Sequence, residues 1–85
     1  MTLKIFKYYL QLTDTQTLQM PEGFEVLNVS NEGGRIVFWA EADEEAELLG
    51  IDFYVVGTGN ELEHPLRVYM GTVQMNGFVW HVYEI

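Results

Sequence analysis

Apolar and polar residues alternate in short stretches along the chain, separated by clusters of glycine, asparagine, proline and acidic residues. A two-residue repeat places successive side chains on opposite sides of an extended backbone, so each stretch predicts a β-strand. Turn-forming segments between the stretches favour antiparallel pairing of neighbouring strands. The predicted strands are Leu3–Leu12, Thr17–Met20, Phe24–Ser30, Arg35–Glu41, Ile51–Val56, Leu66–Met75 and Phe78–Glu84.

Glycine-containing turns predict where the chain reverses. Asn76-Gly77 joins two alternating stretches, and a two-residue type I′ turn needs positive φ at both central positions, which these residues tolerate. Gly33-Gly34 offers the same conformational freedom between the third and fourth strands. Thr13–Gln16 predicts the turn between the first two strands. Gly71 interrupts the sixth strand, where the lack of a side chain permits a β-bulge.

Helix-forming residues cluster in one place, Ala42–Leu49, whose acidic residues suit the first turn of a helix. The segment is short enough to form at most one short helix, and a solvated acidic loop is the alternative. The chain of 85 residues is therefore predicted to be a single all-β domain spanning residues 1–85. About seven short antiparallel strands are expected to form a small sandwich or barrel.

Some predicted strands are apolar on both sides. In Phe78–Ile85 both alternating sets of side chains are apolar, and Ile36–Ala40 shows the same pattern. Antiparallel sheets in a small monomer usually leave one face in water, so a second apolar face implies that something covers it. A homo-oligomer is the simplest cover, and a curled barrel with exposed aromatic residues is the alternative.

The formal net charge of −9 makes nucleic acid an unfavourable partner, because affinity for it depends mainly on neutralised phosphates. The acidic surface either keeps the protein in solution or docks on a basic protein. No stretch has the length of a membrane-spanning segment, and the chain contains no cysteine, which is compatible with a reducing compartment. We therefore expect a soluble, intracellular protein without membrane contact.

Candidate catalytic groups are few. No cysteine is available as a nucleophile, and Ser30 lacks a nucleophile-elbow pattern. His81 lies in an apolar strand and is interpreted as a core or interface residue, whereas His64 is interpreted as an exposed loop residue. The acidic segment 43–47 lacks the spacing of a calcium loop. These observations predict a protein that is not an enzyme and that uses neither a metal nor a cofactor.

The loop Gly57-Thr58-Gly59-Asn60 is the candidate ligand-binding segment. It lacks the third glycine and the following helix of a dinucleotide fingerprint, so it is either a plain connection or a nest of backbone N–H groups for an anion. Arg67 is the nearest cation, and Trp39 and Tyr69 are candidates for stacking on a ligand. The candidate ligand-binding residues are Gly57, Thr58, Gly59, Asn60, Arg67, Trp39 and Tyr69.

Short motifs occur in a defined order along nearly the whole chain. They are Lys4-Ile5-Phe6-Lys7-Tyr8, Leu10, Thr13-Asp14-Thr15-Gln16-Thr17, Met20-Pro21-Glu22-Gly23, Trp39-Ala40, Gly57-Thr58-Gly59, Gly71-Thr72 and His81-Val82-Tyr83-Glu84. In this order the chain resembles a family of small bacteriophage proteins of unknown function. It departs from them at Tyr9, where proline is frequent, and at Asn60, where histidine is frequent. The resemblance implies a phage product acting in the cytoplasm of a bacterial host, and it supplies no catalytic residues.

Three hypotheses for the function follow. The first is a non-enzymatic, homo-oligomeric phage accessory protein that counters host defences by sequestering a nucleotide-like small molecule. The second is an acidic inhibitor that binds a host enzyme or defence protein. The third is a structural or assembly component of the virion.

Overall fold

The computed structural model describes all residues from Met1 to Ile85 and contains seven β-strands and no helix. Each predicted strand is present, so the prediction of an all-β protein is confirmed. The strands are β1 (Leu3–Leu10), β2 (Thr15–Pro21), β3 (Glu25–Glu32), β4 (Arg35–Asp43), β5 (Leu48–Gly57), β6 (Val68–Met75) and β7 (Phe78–Glu84).

The strands form two antiparallel sheets that do not close into a barrel. One has the order β1-β4-β3 and the other the order β2-β5-β7-β6. β3 and β6 lie against each other where the sheets meet. Of the two predicted architectures, the structure is therefore the sandwich, with its core between the sheets.

The core consists of the inward-facing side chains of both sheets. Phe38 of β4 and Phe53 of β5 meet with ring centroids 5.2 Å apart, and neither residue is accessible to solvent. Tyr8 stacks on Phe38 from the same sheet, at 5.1 Å. Burying an aromatic side chain of this size contributes about 1.5–3 kcal/mol. These contacts hold the two sheets face to face.

The predicted turn geometry is found at both glycine-containing hairpins. Asn76 and Gly77 have φ values of 56° and 80°, and Gly33 and Gly34 have φ values of 60° and 79°. At the first turn the prediction placed Thr15 and Gln16 outside a strand, but β2 begins at Thr15 because Thr15 pairs with Tyr54 of β5. Backbone pairing across a sheet thus extends a strand into residues whose side chains favour turns.

The acidic segment does not form the short helix that was one of its two predicted states. β4 continues to Asp43 because it stays paired with β1, and β5 begins at Leu48. Only residues 44–47 remain between the strands, too few for a stable helix. They form a tight turn in which Ala46 N–H donates to the Asp43 carbonyl at 3.1 Å. Residues 44–47 therefore form an acidic loop, which was the alternative prediction.

The outer faces of the two sheets differ in how much of their apolar surface is covered. On the four-stranded sheet, Tyr54 and Val56 point away from the core yet are buried. Residues 58–67, between β5 and β6, fold back over them, so this chain itself supplies part of the predicted cover. On the three-stranded sheet, Leu3, Ile5 and Tyr9 remain exposed.

The predicted bulge at Gly71 is present and has a steric cause. The register of β6 against β7 shifts between Tyr69 and Gly71. A Cβ atom on Gly71 would lie 3.0 Å from both Cβ and Cγ2 of Val29 in β3, closer than normal van der Waals contact. Glycine at this position therefore allows β6 to approach β3, closing one side of the sandwich.

We expect Gly71→Ala to destabilise the fold by about 1–3 kcal/mol, because overpacking a rigid strand contact forces the backbones apart. Gly50→Ala in β5 is the matched control, since its Cβ would meet neighbours at an ordinary 3.5 Å. Alanine there should be neutral or slightly stabilising. Urea unfolding of both variants measures the difference, and equal stabilities would contradict the steric role of Gly71.

A carboxylate holds the beginning of the chain against the β4–β5 turn. Asp43 Oδ1 accepts hydrogen bonds from Glu45 N–H at 3.0 Å and Thr2 N–H at 3.1 Å. These bonds, the one from Glu45 first, favour the ionised carboxylate and lower the pKa of Asp43 below its ordinary value of 3.8. β1 is thus anchored just before its first residue.

Because the pKa of Asp43 is lower in the folded state, the stabilisation is complete above the unfolded-state pKa. It should decrease as pH falls toward the folded-state pKa and disappear below it. In an NMR titration, the protection of Thr2 N–H relative to its intrinsic exchange rate at each pH should fall as Asp43 takes up its proton. In Asp43→Asn the amide oxygen can still accept, so this pH dependence should vanish. An Asp43 that titrates at its ordinary value would contradict the assignment.

Candidate functional site

Three adjacent strands present polar and aromatic side chains in two rows on the outer face of the four-stranded sheet. Tyr83 of β7 is the direct cross-strand partner of Tyr54 in β5 and of Tyr69 in β6. Two residues earlier in β7, His81 has the partners Val56 and Thr72. Directly opposed residues of an antiparallel pair have neighbouring side chains, so each row forms a line across the sheet.

A chain of hydrogen bonds runs through the row that contains His81. The ring atom Nε2 lies 2.7 Å from Thr58 Oγ1, and Nδ1 lies 3.1 Å from Thr72 Oγ1. Thr72 Oγ1 is in turn hydrogen-bonded to the hydroxyl of Tyr69. A hydroxyl both donates and accepts, so these partners satisfy either tautomer of the imidazole. The chain holds the His81 ring in one orientation on the sheet surface.

The segment that follows β5 is pinned to this face by specific contacts. Thr58 N–H donates to the Val79 carbonyl at 3.1 Å, and Asn60 N–H donates to the Gly57 carbonyl at 3.1 Å. Gly59 has a φ of 91°, which side chains rarely allow, and this lets the loop reverse over the sheet. The candidate loop is therefore ordered by the sheet beneath it.

Farther along, the same segment is anchored on a tyrosine. The Tyr54 hydroxyl donates to the Glu61 carbonyl at 3.3 Å and accepts from Glu63 N–H at 3.4 Å. His64 packs edge-on against the Tyr54 ring at 4.5 Å, and its carbonyl accepts from Arg67 Nη1 at 2.7 Å. His64 is therefore a packing residue of the covering segment rather than a freely exposed one.

A crevice of about 220 Å³ opens between the loop and the sheet. Its lining combines the hydroxyl of Thr58, the ring of His81, and apolar surface from β5 and the loop. The lining residues are Val56, Gly57, Thr58, Gly59, Asn60, Leu62, His81 and Tyr83. The volume approaches that of the smaller pockets for organic ligands, and the polar groups are few and held in place.

Six of the seven predicted ligand-binding residues lie on this face. Gly57–Asn60 line the crevice directly. Arg67 and Tyr69 flank the ring of Tyr83, with the guanidinium carbon 5.5 Å and the Tyr69 ring 5.6 Å from the Tyr83 ring centroid. The structure thus brings together residues that are separated along the sequence.

Trp39 is the exception, because it belongs to the other sheet. It lies in β4 opposite Lys7, whose Nζ is 5.8 Å from the Trp39 ring centroid. The alternating pattern placed Trp39 on the opposite side of its strand from Ile36, Phe38 and Ala40, but it did not show which sheet β4 would join. Within one chain, Trp39 therefore lies apart from the Gly57–Asn60 loop.

The sequence interpretation did not assign His81 to the candidate site, although His81 is its central residue. It was interpreted as a core or interface residue with one hydrogen bond, whereas it lies half-buried on the outer face with two. A signal was present, since the two-residue turn Asn76-Gly77 sets the register of the hairpin. Counting outward from that turn places Thr72 opposite His81.

The arrangement lacks the parts of a nucleophilic catalyst. Thr58 contacts His81 as a nucleophile would contact its base, but the second ring nitrogen meets the hydroxyl of Thr72 and not a carboxylate. A buried carboxylate in that position is what orients the base and stabilises its protonated form in hydrolytic triads. The environment of His81 therefore differs from that of a triad histidine.

Charge limits what such a ligand can be. Arg67 is the only one of the four lysine and arginine residues on this face, and Glu61 and Glu63 lie in the covering segment. The other three cations belong to the three-stranded sheet. There Lys4 and Lys7 are paired with glutamates and Arg35 lies over the ring of Tyr9. The site can therefore neutralise about one negative charge.

Comparison with known proteins places the chain in a family. The model of a family described as a domain of unknown function (DUF7352) matches residues 1–85. The chain belongs to this family. No curated protein and no solved structure matches it. The structure has no helix that could span a membrane.

We expect Thr72→Val to weaken the hydrogen-bond chain, because valine keeps the shape of threonine but leaves Nδ1 of His81 without its partner. The variant also loses the bond to the Tyr69 hydroxyl, and each hydrogen bond lost costs about 0.5–1.5 kcal/mol. Thr15→Val on the exposed side of β2 is the control, since the Thr15 hydroxyl makes no hydrogen bond in the structure. Imidazole ¹⁵N NMR should show a changed Nδ1 signal in Thr72→Val alone. An unchanged signal would exclude the contact.

Proposed function

We propose that this protein is a non-enzymatic binding module that holds a small nucleotide-like ligand on the outer face of its four-stranded sheet. The observation that carries the proposal is the hydrogen-bond chain centred on His81, which borders the crevice under the Gly57–Asn60 loop. The polar groups of this chain are already oriented, so binding requires little further ordering.

A heteroaromatic base fits the chemistry of this face. Ring nitrogens and exocyclic groups of a base can exchange hydrogen bonds with the hydroxyl of Thr58, which lines the crevice, and with that of Thr72 on the other side of His81. Tyr69 is 57% exposed and offers a ring for stacking. Stacking of a base on an aromatic side chain contributes about 1–3 kcal/mol.

The single cation favours a ligand with one phosphate group or none. Arg67 lies beside Tyr83 and can pair with one phosphate, whereas a triphosphate would leave charge uncompensated near Glu61 and Glu63. Mononucleotides, cyclic nucleotides and nucleosides therefore fit better than polyphosphates or nucleic acid.

The resemblance to small phage proteins supplies the cellular setting of this proposal. A homo-oligomeric accessory protein of a phage, acting in the host cytoplasm, counters a defence system by sequestering such a nucleotide signal. Capture needs tight binding and no chemistry, which agrees with the absence of a carboxylate partner for His81.

Thermal unfolding with a panel of nucleosides, monophosphates, cyclic nucleotides and triphosphates tests the proposal. A ligand at about 100 times its Kd stabilises the folded state by about 2.7 kcal/mol. For a domain of this size that corresponds to a rise in Tm of roughly 10–20 °C, at about 4–8 °C per kcal/mol. The largest shift is expected for a ligand with one phosphate group or none. No shift with any member would overturn the proposal.

Two substitutions locate the bound ligand. Tyr69→Leu should reduce the thermal shift by removing the stacking ring, whereas Phe78→Leu is the matched control because Phe78 is an exposed aromatic residue on β7, 64% accessible. Arg67→Gln should reduce the shift for phosphorylated ligands and leave that of nucleosides unchanged. Equal reductions of the thermal shift by Tyr69→Leu and Phe78→Leu would place the ligand elsewhere.

A further inference from the structure

β1 is an edge strand with nothing beside its outer backbone. It pairs with β4 on one side over eight consecutive residues, from Leu3 to Leu10, without a bulge. Its other side presents backbone N–H and C=O groups that no strand of the chain satisfies. Such an edge is a template for pairing with another strand.

The other three edge strands carry the features that normally prevent this pairing. β3 and β6 lie against each other, and each is interrupted by a register shift. β2 ends in Pro21, which cannot donate a backbone hydrogen bond. β1 contains no proline. β1 is therefore the longest edge strand that has neither a register shift nor a proline.

Apolar side chains accompany this free edge. Leu3 and Ile5, which alternation places on the outer face of the three-stranded sheet, are 55% and 63% exposed. No segment of the chain folds over them, in contrast to the cover that residues 58–67 provide on the other sheet. Pairing along β1 would remove apolar surface from water as well as satisfy the backbone.

Charge favours a second copy of this chain as the occupant. Two copies with a net charge of −9 repel each other wherever their acidic surfaces meet. Residues 1–12 contain no carboxylate, and their cations are matched by nearby glutamates, with the N-terminus paired to Glu45, Lys4 to Glu44 and Lys7 to Glu32. The β1 edge is thus close to neutral, because each of its positive charges is paired with a glutamate of the same copy.

We propose that two copies pair through their β1 strands, antiparallel about a twofold axis, and so join their three-stranded sheets into one continuous sheet. A twofold contact uses the β1 edge of both copies, so this contact closes at the dimer. This inference names the interface of the homo-oligomer in the proposed function and is independent of its ligand. The His81 faces lie on the opposite sheets and stay open.

Light scattering after size-exclusion chromatography, over a dilution series, tests the dimer. The wild-type protein should have twice the chain mass of 9.8 kDa at high concentration. Ile5→Lys should shift it to the monomer, because a charge on each copy would face the partner across the joined edge. Val68→Lys on β6 is the matched control, since Val68 is 62% exposed, and it should remain a dimer. Circular dichroism confirms that both variants fold.

Hydrogen exchange of the wild-type protein provides a measurement that needs no variant. Alternate amides of β1, those directed away from β4, should be protected at high concentration and exchange rapidly on dilution.

A wild-type monomer throughout the dilution series would overturn the proposed interface. So would a Val68→Lys variant that dissociates as strongly as Ile5→Lys. Thermal shifts of Ile5→Lys with the nucleotide panel separate the two proposals, because loss of the dimer should leave binding at the His81 face intact.

Discussion

The pairing of β7 with β5 on one side and β6 on the other is the constraint on which the candidate site depends. The register of these three strands puts Thr72 beside His81 and Tyr69 beside Tyr83. A slip of one residue would turn His81 into the core and a core residue such as Val82 outward. The Asn76-Gly77 turn and the Gly71 bulge hold that register, the first by its backbone conformation and the second by its contact with Val29.

The two outer faces of the sandwich differ in how their apolar side chains are shielded from water. The four-stranded sheet covers Tyr54 and Val56 with its own segment, residues 58–67, and a crevice remains at the edge of that cover. The three-stranded sheet has no such segment and leaves Leu3 and Ile5 in contact with water. One face thus carries a small crevice, and the other carries exposed apolar side chains beside a free strand edge.

The distribution of the few cations follows the same division. Lys4, Lys7 and Arg35 belong to the three-stranded sheet, where they contact glutamates or aromatic rings, and Arg67 is alone on the other face. Compensation of charge is therefore concentrated near β1, although the molecule as a whole is strongly acidic. The proposed dimer contact therefore lies on the compensated side of the molecule, and the proposed ligand site lies on the side with a single cation.

The sequence by itself determined most of the strands, although not all of their ends, because a two-residue repeat and glycine turns are local signals. It predicted seven strands, both glycine hairpins and the bulge at Gly71. The pairing of Thr72 with His81 also follows from the sequence, because both residues lie at equal distances from the Asn76-Gly77 turn. Only the tertiary structure decided which strands share a sheet, and hence that Trp39 lies apart from the Gly57–Asn60 loop while Arg67 and Tyr69 lie near it. It also decided that residues 58–67 cover Tyr54 and that β1 has a free edge. Sheet order and the path of a loop depend on contacts between residues far apart in the chain, which alternation along one strand does not specify.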